Sequence, residues 1–159
     1  MRLFRLNLLN IRTCQNCGEC DDTGSCVIED DMAEIYDTVR TADRVILSSP
    51  IFFFSLSAQT KTMIDRFQCF WCEKYLLNRP IPEGLHGRRK GLLLLVGGMK
   101  NDVGIQCGDA TAKAFFRSIS IPEHETLSYL GIDSKGAILH HPTALNDAYS
   151  AGERLIKLG

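Results

Sequence analysis

The stretch Leu92-Leu93-Leu94-Leu95-Val96-Gly97-Gly98 determines the predicted fold. Its continuous apolar run has the length of a β-strand and no polar alternation, which is typical of a parallel strand that is covered on both faces. The run at residues 44–48 has the same character. Alternating apolar and polar residues at 4–8 predict a half-buried first strand, and residues 127–130 predict a short last strand. The sequence therefore predicts a sheet of four strands.

Amphipathic helical patterns separate these strands. They occupy residues 32–39, 57–71, 112–119 and 142–156. In the second of these helices, the spacing predicts that Met63, Ile64, Phe67 and Trp71 face the core. Regular alternation of strand and helix favours an α/β fold, with a doubly wound parallel sheet in one domain that spans residues 1–159.

Three unusual loops follow the first three predicted strands. They are a cysteine-rich loop at residues 12–30, the stretch Ser49–Phe53 and the pair Gly97-Gly98. In sheets of this kind, ligands bind beyond the carboxyl ends of the strands, where the loops converge. We therefore expect the three loops to share one edge of the sheet and to form a functional site there.

Four of the seven cysteines form the motif Cys14-x2-Cys17-x2-Cys20-x5-Cys26. Cysteines three residues apart allow a loop to curl so that successive sulfurs point at one centre, as in bacterial ferredoxins. A cubane needs one thiolate for each iron, so the spacing favours a 4Fe-4S cluster. Two alternatives remain open, a zinc ion on the same thiolates and a set of unligated thiols.

Composition excludes several other classes of function. The chain has 159 residues and a formal net charge of -1, which gives no sign of a nucleic-acid partner. No apolar run approaches the roughly 18 residues of a membrane span. Polar residues interrupt the apolar start of the chain, and the cysteine count is odd, so we expect a cytoplasmic protein whose thiols stay reduced.

Several segments together resemble the iron–sulfur flavoproteins of the flavodoxin-like NAD(P)H-dependent FMN reductase superfamily. The resemblance rests on the cysteine spacing with residues 27–32 after it, on Ser49–Phe53 with residues 57–59, and on Ile64-Asp65-Arg66. It continues through residues 96–98 and 131–136, and so covers essentially the whole chain. It implies a flavodoxin-like fold for the predicted sheet.

The resemblance also implies a set of ligands and partners. FMN would lie at the carboxyl edge of the sheet, against Ser49, Pro50, Ile51, Phe52, Phe53, Gly97 and Gly98. Electrons would pass from a nicotinamide nucleotide, NAD(P)H, or a ferredoxin-like donor, through cluster and flavin, to a small-molecule acceptor. A cluster-free NAD(P)H-dependent FMN or quinone reductase and a non-catalytic electron carrier are the alternatives. No side chain is identified as an acid–base catalyst.

The sequence departs from the family pattern in three places. Phe52 stands where tyrosine is common, and Phe54 stands where glycine is common. The family's first strand, phosphate-gripping loop and helix have no counterpart before residue 4, so we expect an N-terminally shortened form with weak FMN affinity, or a homo-oligomer.

A second cysteine pair, Cys69 and Cys72, lies inside the second predicted helix. A thioredoxin-like dithiol needs a helix N-terminus, where the dipole lowers a thiol pKa, so this pair is interpreted as core packing.

Overall fold

The computed structural model describes residues 1–81, Gly84 and residues 88–157. Its α-helices are α1 (Glu19–Thr23), α2 (Met32–Thr41), α3 (Ala58–Arg66), α4 (Gln68–Trp71), α5 (Val103–Ser118) and α6 (Ala144–Ile156). Its strands are β1 (Arg44–Phe52), β2 (Ser55–Leu56), β3 (Lys90–Val96) and β4 (His124–Tyr129). A π-helical turn at Cys72–Leu76 continues α4, and 3-10 turns occupy Leu6–Leu8 and Ala137–His140.

The four strands form one sheet in the order β2-β1-β3-β4. The β1–β3 and β3–β4 pairs are parallel, whereas the two-residue β2 folds back antiparallel on the end of β1. Arg44 pairs with Lys90 and Pro50 with Val96, so the two long strands run side by side along most of their length. The predicted α/β architecture with a mostly parallel sheet is confirmed.

The predicted first strand at residues 4–8 is wrong. The segment forms a 3-10 turn, in which the N–H of Leu8 donates to the carbonyl of Arg5. Its apolar side chains still contribute to the core, since Phe4 and Leu6 pack against it while partly buried. No described strand pairs with this segment, and a strand without a partner leaves its backbone groups unsatisfied. The turn instead pairs the N–H groups of Leu8 and Leu9 with the carbonyls of Arg5 and Leu6.

The main core lies between the sheet and helices α2 to α5. Its aromatic centre consists of Phe67, Phe70 and Phe115, with Tyr36 against them and ring centroids about 5 Å apart. On the other face, α6 packs Ala151 and Leu155 against Leu92. Among the described residues, no helix combines the length and apolar character that crossing a membrane requires.

The predicted burial of Trp71 is wrong, because the second predicted helix is interrupted. Phe67, with ψ near 6°, ends α3 and begins α4, and this break shifts which side chains face inward. Phe70 is buried, whereas Trp71 is 41% exposed. Met63 and Phe67 are buried as predicted.

Candidate functional site

Cysteines from two segments line one cavity of about 130 Å³. The lining cysteines are Cys14, Cys17, Cys20, Cys26 and Cys69. The first four belong to residues 12–30, here called the cysteine segment, and are exposed or half-buried, whereas Cys69 is buried in α4. The structure thus places all four predicted cluster ligands around a single space.

A buried ion pair closes the cysteine segment at its two ends. Arg66 donates from Nη1 to the carbonyl of Arg12 at 2.8 Å and from Nη2 to the carbonyl of Ile28 at 3.1 Å. Asp30 accepts from Arg66 Nη1 at 2.6 Å and from the backbone N–H of Arg12 at 2.9 Å. Both charged side chains are inaccessible to solvent. These contacts, the neck of the cysteine segment, hold its ends together.

One polar atom of this neck has no protein partner. Arg66 lines the cavity, and its buried Nε makes no hydrogen bond to any described residue. Burial lowers the pKa of Arg66, but its hydrogen bonds to Asp30 and Cys26 and the charges of Tyr36 and Cys26 outweigh burial and hold the pKa above its usual value. A buried N–H donor beside four thiols fits an anionic sulfur-ligated group in this cavity.

Two glycines shape the middle of the cysteine segment. Gly18 and Gly24 flank α1 with φ of 81° and 75°, a left-handed conformation in which other residues are strained. A side chain at Gly24 would also press on Glu73 and Leu77 at 3.2–3.3 Å. The glycines therefore allow α1 to lie directly against the π-helical turn.

The second cysteine pair contacts the cysteine segment. Cys72 Sγ lies 3.7 Å from Cys20 Sγ and 3.1 Å from Asp21 Oδ1, and Cys69 lines the cavity. Burial raises the pKa of Cys69 to about 11 and, together with the hydrogen bond to Asp21, that of Cys72 to about 12. Both thiols are buried, as predicted for packing, but their position beside the other cysteines was not predicted.

The loop predicted at Ser49–Phe53 is wrong for its first four residues, because 49–52 form the carboxyl end of β1 and only Phe53 lies in the turn to β2. Ser49 is buried and its hydroxyl accepts from the backbone N–H of Ser57, while Ile51 lies in the core. Pro50, Phe52 and Phe53 are exposed, and Phe53 has no cover from described residues. Three of the five predicted flavin contacts therefore present exposed apolar surface. The other two, Ser49 and Ile51, are buried beneath them.

Gly97 and Gly98 follow β3 at the neighbouring position. Gly97 is buried, and a side chain there would meet Ile51 at 3.1 Å. A side chain at Gly98 would collide with the carboxylate of Asp133. Gly97 thus lets the backbone pass close to the buried Ile51, whereas the Asp133 side chain opposite Gly98 is exposed and can move.

The predicted convergence of three loops at one edge is wrong for the cysteine segment. It does not follow a strand, and it packs beside α3, α4 and the π-helical turn. The described lining of the cysteine cavity contains no residue of Ser49–Phe53 or Gly97-Gly98. The structure therefore has two separate regions, a cysteine cavity on the helical side and an apolar loop region at the ends of β1 and β3.

Two site residues were missed from the sequence. Both, Arg66 and Asp30, lie in segments of the family resemblance but in no predicted site, although an arginine next to the core residue Phe67 is a signal of a buried, paired charge. Asp30 lies 36 residues earlier, so no local pattern connects the two.

Comparison with known proteins connects this structure to a family. The sequence model of the family described as "NADPH-dependent FMN reductase" matches residues 1–116. An iron–sulfur flavoprotein of Methanosarcina thermophila is 34% identical over 91 residues, which are 57% of this chain and 43% of that protein. One from Archaeoglobus fulgidus is 39% identical over 77 residues, 48% of this chain and 32% of its own length. The chain thus spans less than half of these relatives.

Solved structures share the fold at low sequence identity. A flavone reductase superimposes with a TM-score of 0.60 and 16% identity, covering 97% of this chain and 50% of that one. The Trp repressor binding protein of Bacillus subtilis has a TM-score of 0.55 and 20% identity, covering 82% and 73%. Because the family model covers residues 1–116, which is most of the sequence, the chain belongs to the NADPH-dependent FMN reductase family.

Proposed function

We propose that this chain performs flavin-dependent electron transfer, with FMN and a 4Fe-4S cluster as its redox groups. A nicotinamide nucleotide or a ferredoxin-like protein supplies the electrons, and a small molecule accepts them. One observation carries the proposal: four cysteines of one segment line a single cavity beside a buried arginine whose Nε is unpaired. Relatives named iron–sulfur flavoproteins support it.

The cysteine cavity is the proposed place of the cluster. Cys14, Cys17, Cys20 and Cys26 would hold it, and it would supply one-electron chemistry there. Arg66 keeps the two ends of the cysteine segment together and lines the cavity, and its buried Nε–H is a donor without a protein partner beside the cysteines. The buried charge of Asp30 holds this guanidinium in place.

The apolar loop region is the proposed place of the flavin, which interconverts one- and two-electron chemistry when bound. Pro50, Phe52 and Phe53 offer exposed apolar surface for stacking a flat ring. Ser49 and Ile51 hold the loop from beneath, because their side chains are buried.

Anaerobic reconstitution with ferrous iron and sulfide tests the cluster. We expect about four iron and four sulfide per chain, with broad visible absorbance. Cys14→Ala should lose bound sulfide, whereas Cys107→Ala, at an exposed cysteine outside the cavity, should retain it. Zinc retained without any sulfide would instead support a structural zinc ion on the same thiols.

Titration with FMN tests the flavin region. Phe52→Ala and Phe53→Ala should weaken FMN binding, whereas Tyr149→Ala, at an exposed aromatic residue of α6, should not.

The second candidate, a cluster-free NAD(P)H-dependent FMN or quinone reductase, is favoured by the separation of the two regions. It predicts NADPH turnover with added FMN in the Cys14→Ala variant at the wild-type rate. The homo-oligomer expected from the sequence stays a prediction, which sedimentation velocity can test.

A further inference from the structure

Three potential metal ligands meet where α1 touches the π-helical turn. Cys72 Sγ lies 3.7 Å from Cys20 Sγ and 3.1 Å from Asp21 Oδ1, and all three ligand atoms lie within 4.8 Å of one another. The two sides of this contact are about fifty positions apart in the sequence. It is therefore a product of the fold and not of a local motif.

The spacing of the two sulfurs matches one shared cation. Zinc binds thiolate sulfur at about 2.3 Å and carboxylate oxygen at about 2.0–2.2 Å, with tetrahedral angles. This geometry places two ligand sulfurs about 3.8 Å apart, and a sulfur and an oxygen about 3.5 Å apart. The observed separations of 3.7 Å and 3.1 Å require movements of only tenths of an ångström.

The surroundings hold the ligands in this arrangement. Gly24 allows α1 to approach the turn closely, and Arg79 donates to the carbonyl of Thr23 at 3.0 Å at the end of the same helix. Cys72 is fully buried and accepts a hydrogen bond from Gln68 Nε2 at 3.5 Å. Asp21 is exposed and opens the cluster of ligands to solvent. A cation could thus enter from the side of Asp21.

We propose that, in the cluster-free protein, Cys20, Asp21 and Cys72 bind one thiophilic divalent cation such as Zn²⁺, with water in the fourth position. Binding replaces the two thiol protons, which pass to solvent, and involves no change of oxidation state. Cys20 also belongs to the proposed cluster set, so the cation and the cluster exclude each other. Only this competition depends on the proposed function, and the cation site does not.

Zinc titration of the reduced, cluster-free chain tests the site. The background variant carries Cys14→Ala and Cys17→Ala, which removes two cluster ligands and none of the proposed cation ligands. Competition with a chromophoric chelator should give one Zn²⁺ per chain. Asp21→Asn and Cys72→Ala should each weaken binding by at least about tenfold. Asp22→Asn, at the neighbouring exposed carboxylate, should leave the affinity unchanged.

Unchanged zinc affinity in Asp21→Asn would overturn the proposal, and because Asp21 is exposed this variant does not depend on repacking around Cys72. If the wild-type chain binds zinc but the background variant does not, the ion is bound through Cys14 or Cys17 and not at the proposed site. Zinc added to the wild-type chain before reconstitution should reduce cluster yield. If no cluster forms with or without zinc, the proposed function fails, while the titration still decides the cation site.

Discussion

Arg66 and Asp30 form an ion pair without solvent access, with Nη1 2.6 Å from Oδ2. The pair connects the end of α3 to Asp30, two residues before the start of α2, and both partners also bind backbone of the cysteine segment. Burial raises the pKa of Asp30, but the hydrogen bonds from Arg66, Arg12 and Met32 outweigh burial and hold it below its usual value. The pair therefore stays ionised and keeps the cysteine segment closed at neutral pH.

Asp30→Asn should lower the free energy of unfolding by about 3–5 kcal/mol, because it leaves the Arg66 charge buried and unpaired. Urea denaturation followed by circular dichroism measures the loss. Asp65→Asn is the matched control, since it breaks the exposed pair of Lys61 and Asp65 on α3 and should cost less than about 1 kcal/mol. Equal losses in the two variants would contradict the assigned role of the neck.

Arg66→Lys should increase the rate of iron loss from the reconstituted protein to a chelator about 10–100-fold. Lysine keeps the positive charge but lacks the Nε–H and the two-armed fork that holds both ends of the cysteine segment. Arg40→Lys is the control, because Arg40 pairs with Glu73 outside the cavity lining. Equal rates of iron loss in the two variants would show that the cavity does not depend on the Arg66 fork.

Phe54→Gly should stabilise the protein by about 1 kcal/mol. Phe53 and Phe54 form the turn between β1 and β2 with φ of 46° and 60°, a conformation that favours glycine. Phe54→Ala removes the ring but keeps the strained Cβ, so it should give no gain in melting temperature. If both variants raise the melting temperature, the destabilisation comes from the exposed ring of Phe54 and not from its backbone conformation.

Gly104→Ala should lower the free energy of unfolding by about 1–3 kcal/mol, because the added methyl group would lie 2.5 Å from the buried Ile51 side chain. Gly152→Ala in α6 meets nothing within 4 Å and should stabilise the helix by about 0.5–1 kcal/mol. Thermal denaturation of both variants checks the opposite signs. If both substitutions stabilise the protein, Gly104 of α5 does not lie in close contact with Ile51 of β1.

Asp109 contributes a pH-dependent contact between α5 and β4. Burial raises its pKa, but hydrogen bonds from Thr126 at 2.5 Å and with His124 at 3.0 Å outweigh burial and lower it below the ordinary 3.8. Its stabilisation is therefore complete above pH 3.8 and is lost as the pH falls below that value. Asp109→Asn should lower the free energy of unfolding by about 1 kcal/mol at pH 7, and by progressively less as the pH falls. A pH-independent difference in the free energy of unfolding would refute this.

The sequence predicted those features that depend on local patterns. Continuous apolar runs identified β1 and β3, and the cysteine spacing identified four of the five cysteines that line the cavity. Residues 4–8 could form a strand only beside a partner strand. The alternation of apolar and polar residues within the segment does not show whether such a partner exists. The orientation of Trp71 depends on the helix break at Phe67, which has no glycine or proline to indicate it.

The site was less predictable than the fold. The Arg66–Asp30 pair and the Cys20–Cys72 contact each join residues far apart in the sequence. Such contacts follow from the packing of α3 and α4 against the cysteine segment, and they leave no periodic signal in either partner. Sequence reasoning therefore identified four cysteines that line the cavity but not the side chains that contact their segment.

The neck of the cysteine segment is held by protein groups alone, and this has a consequence for assembly. The conformational entropy of closing this loop is therefore lost when the chain folds and not when a ligand binds. Binding of the proposed cluster would then require only local adjustment of the cysteine side chains. Loss of that cluster would leave the segment folded, so the cluster could be rebuilt without refolding of the chain.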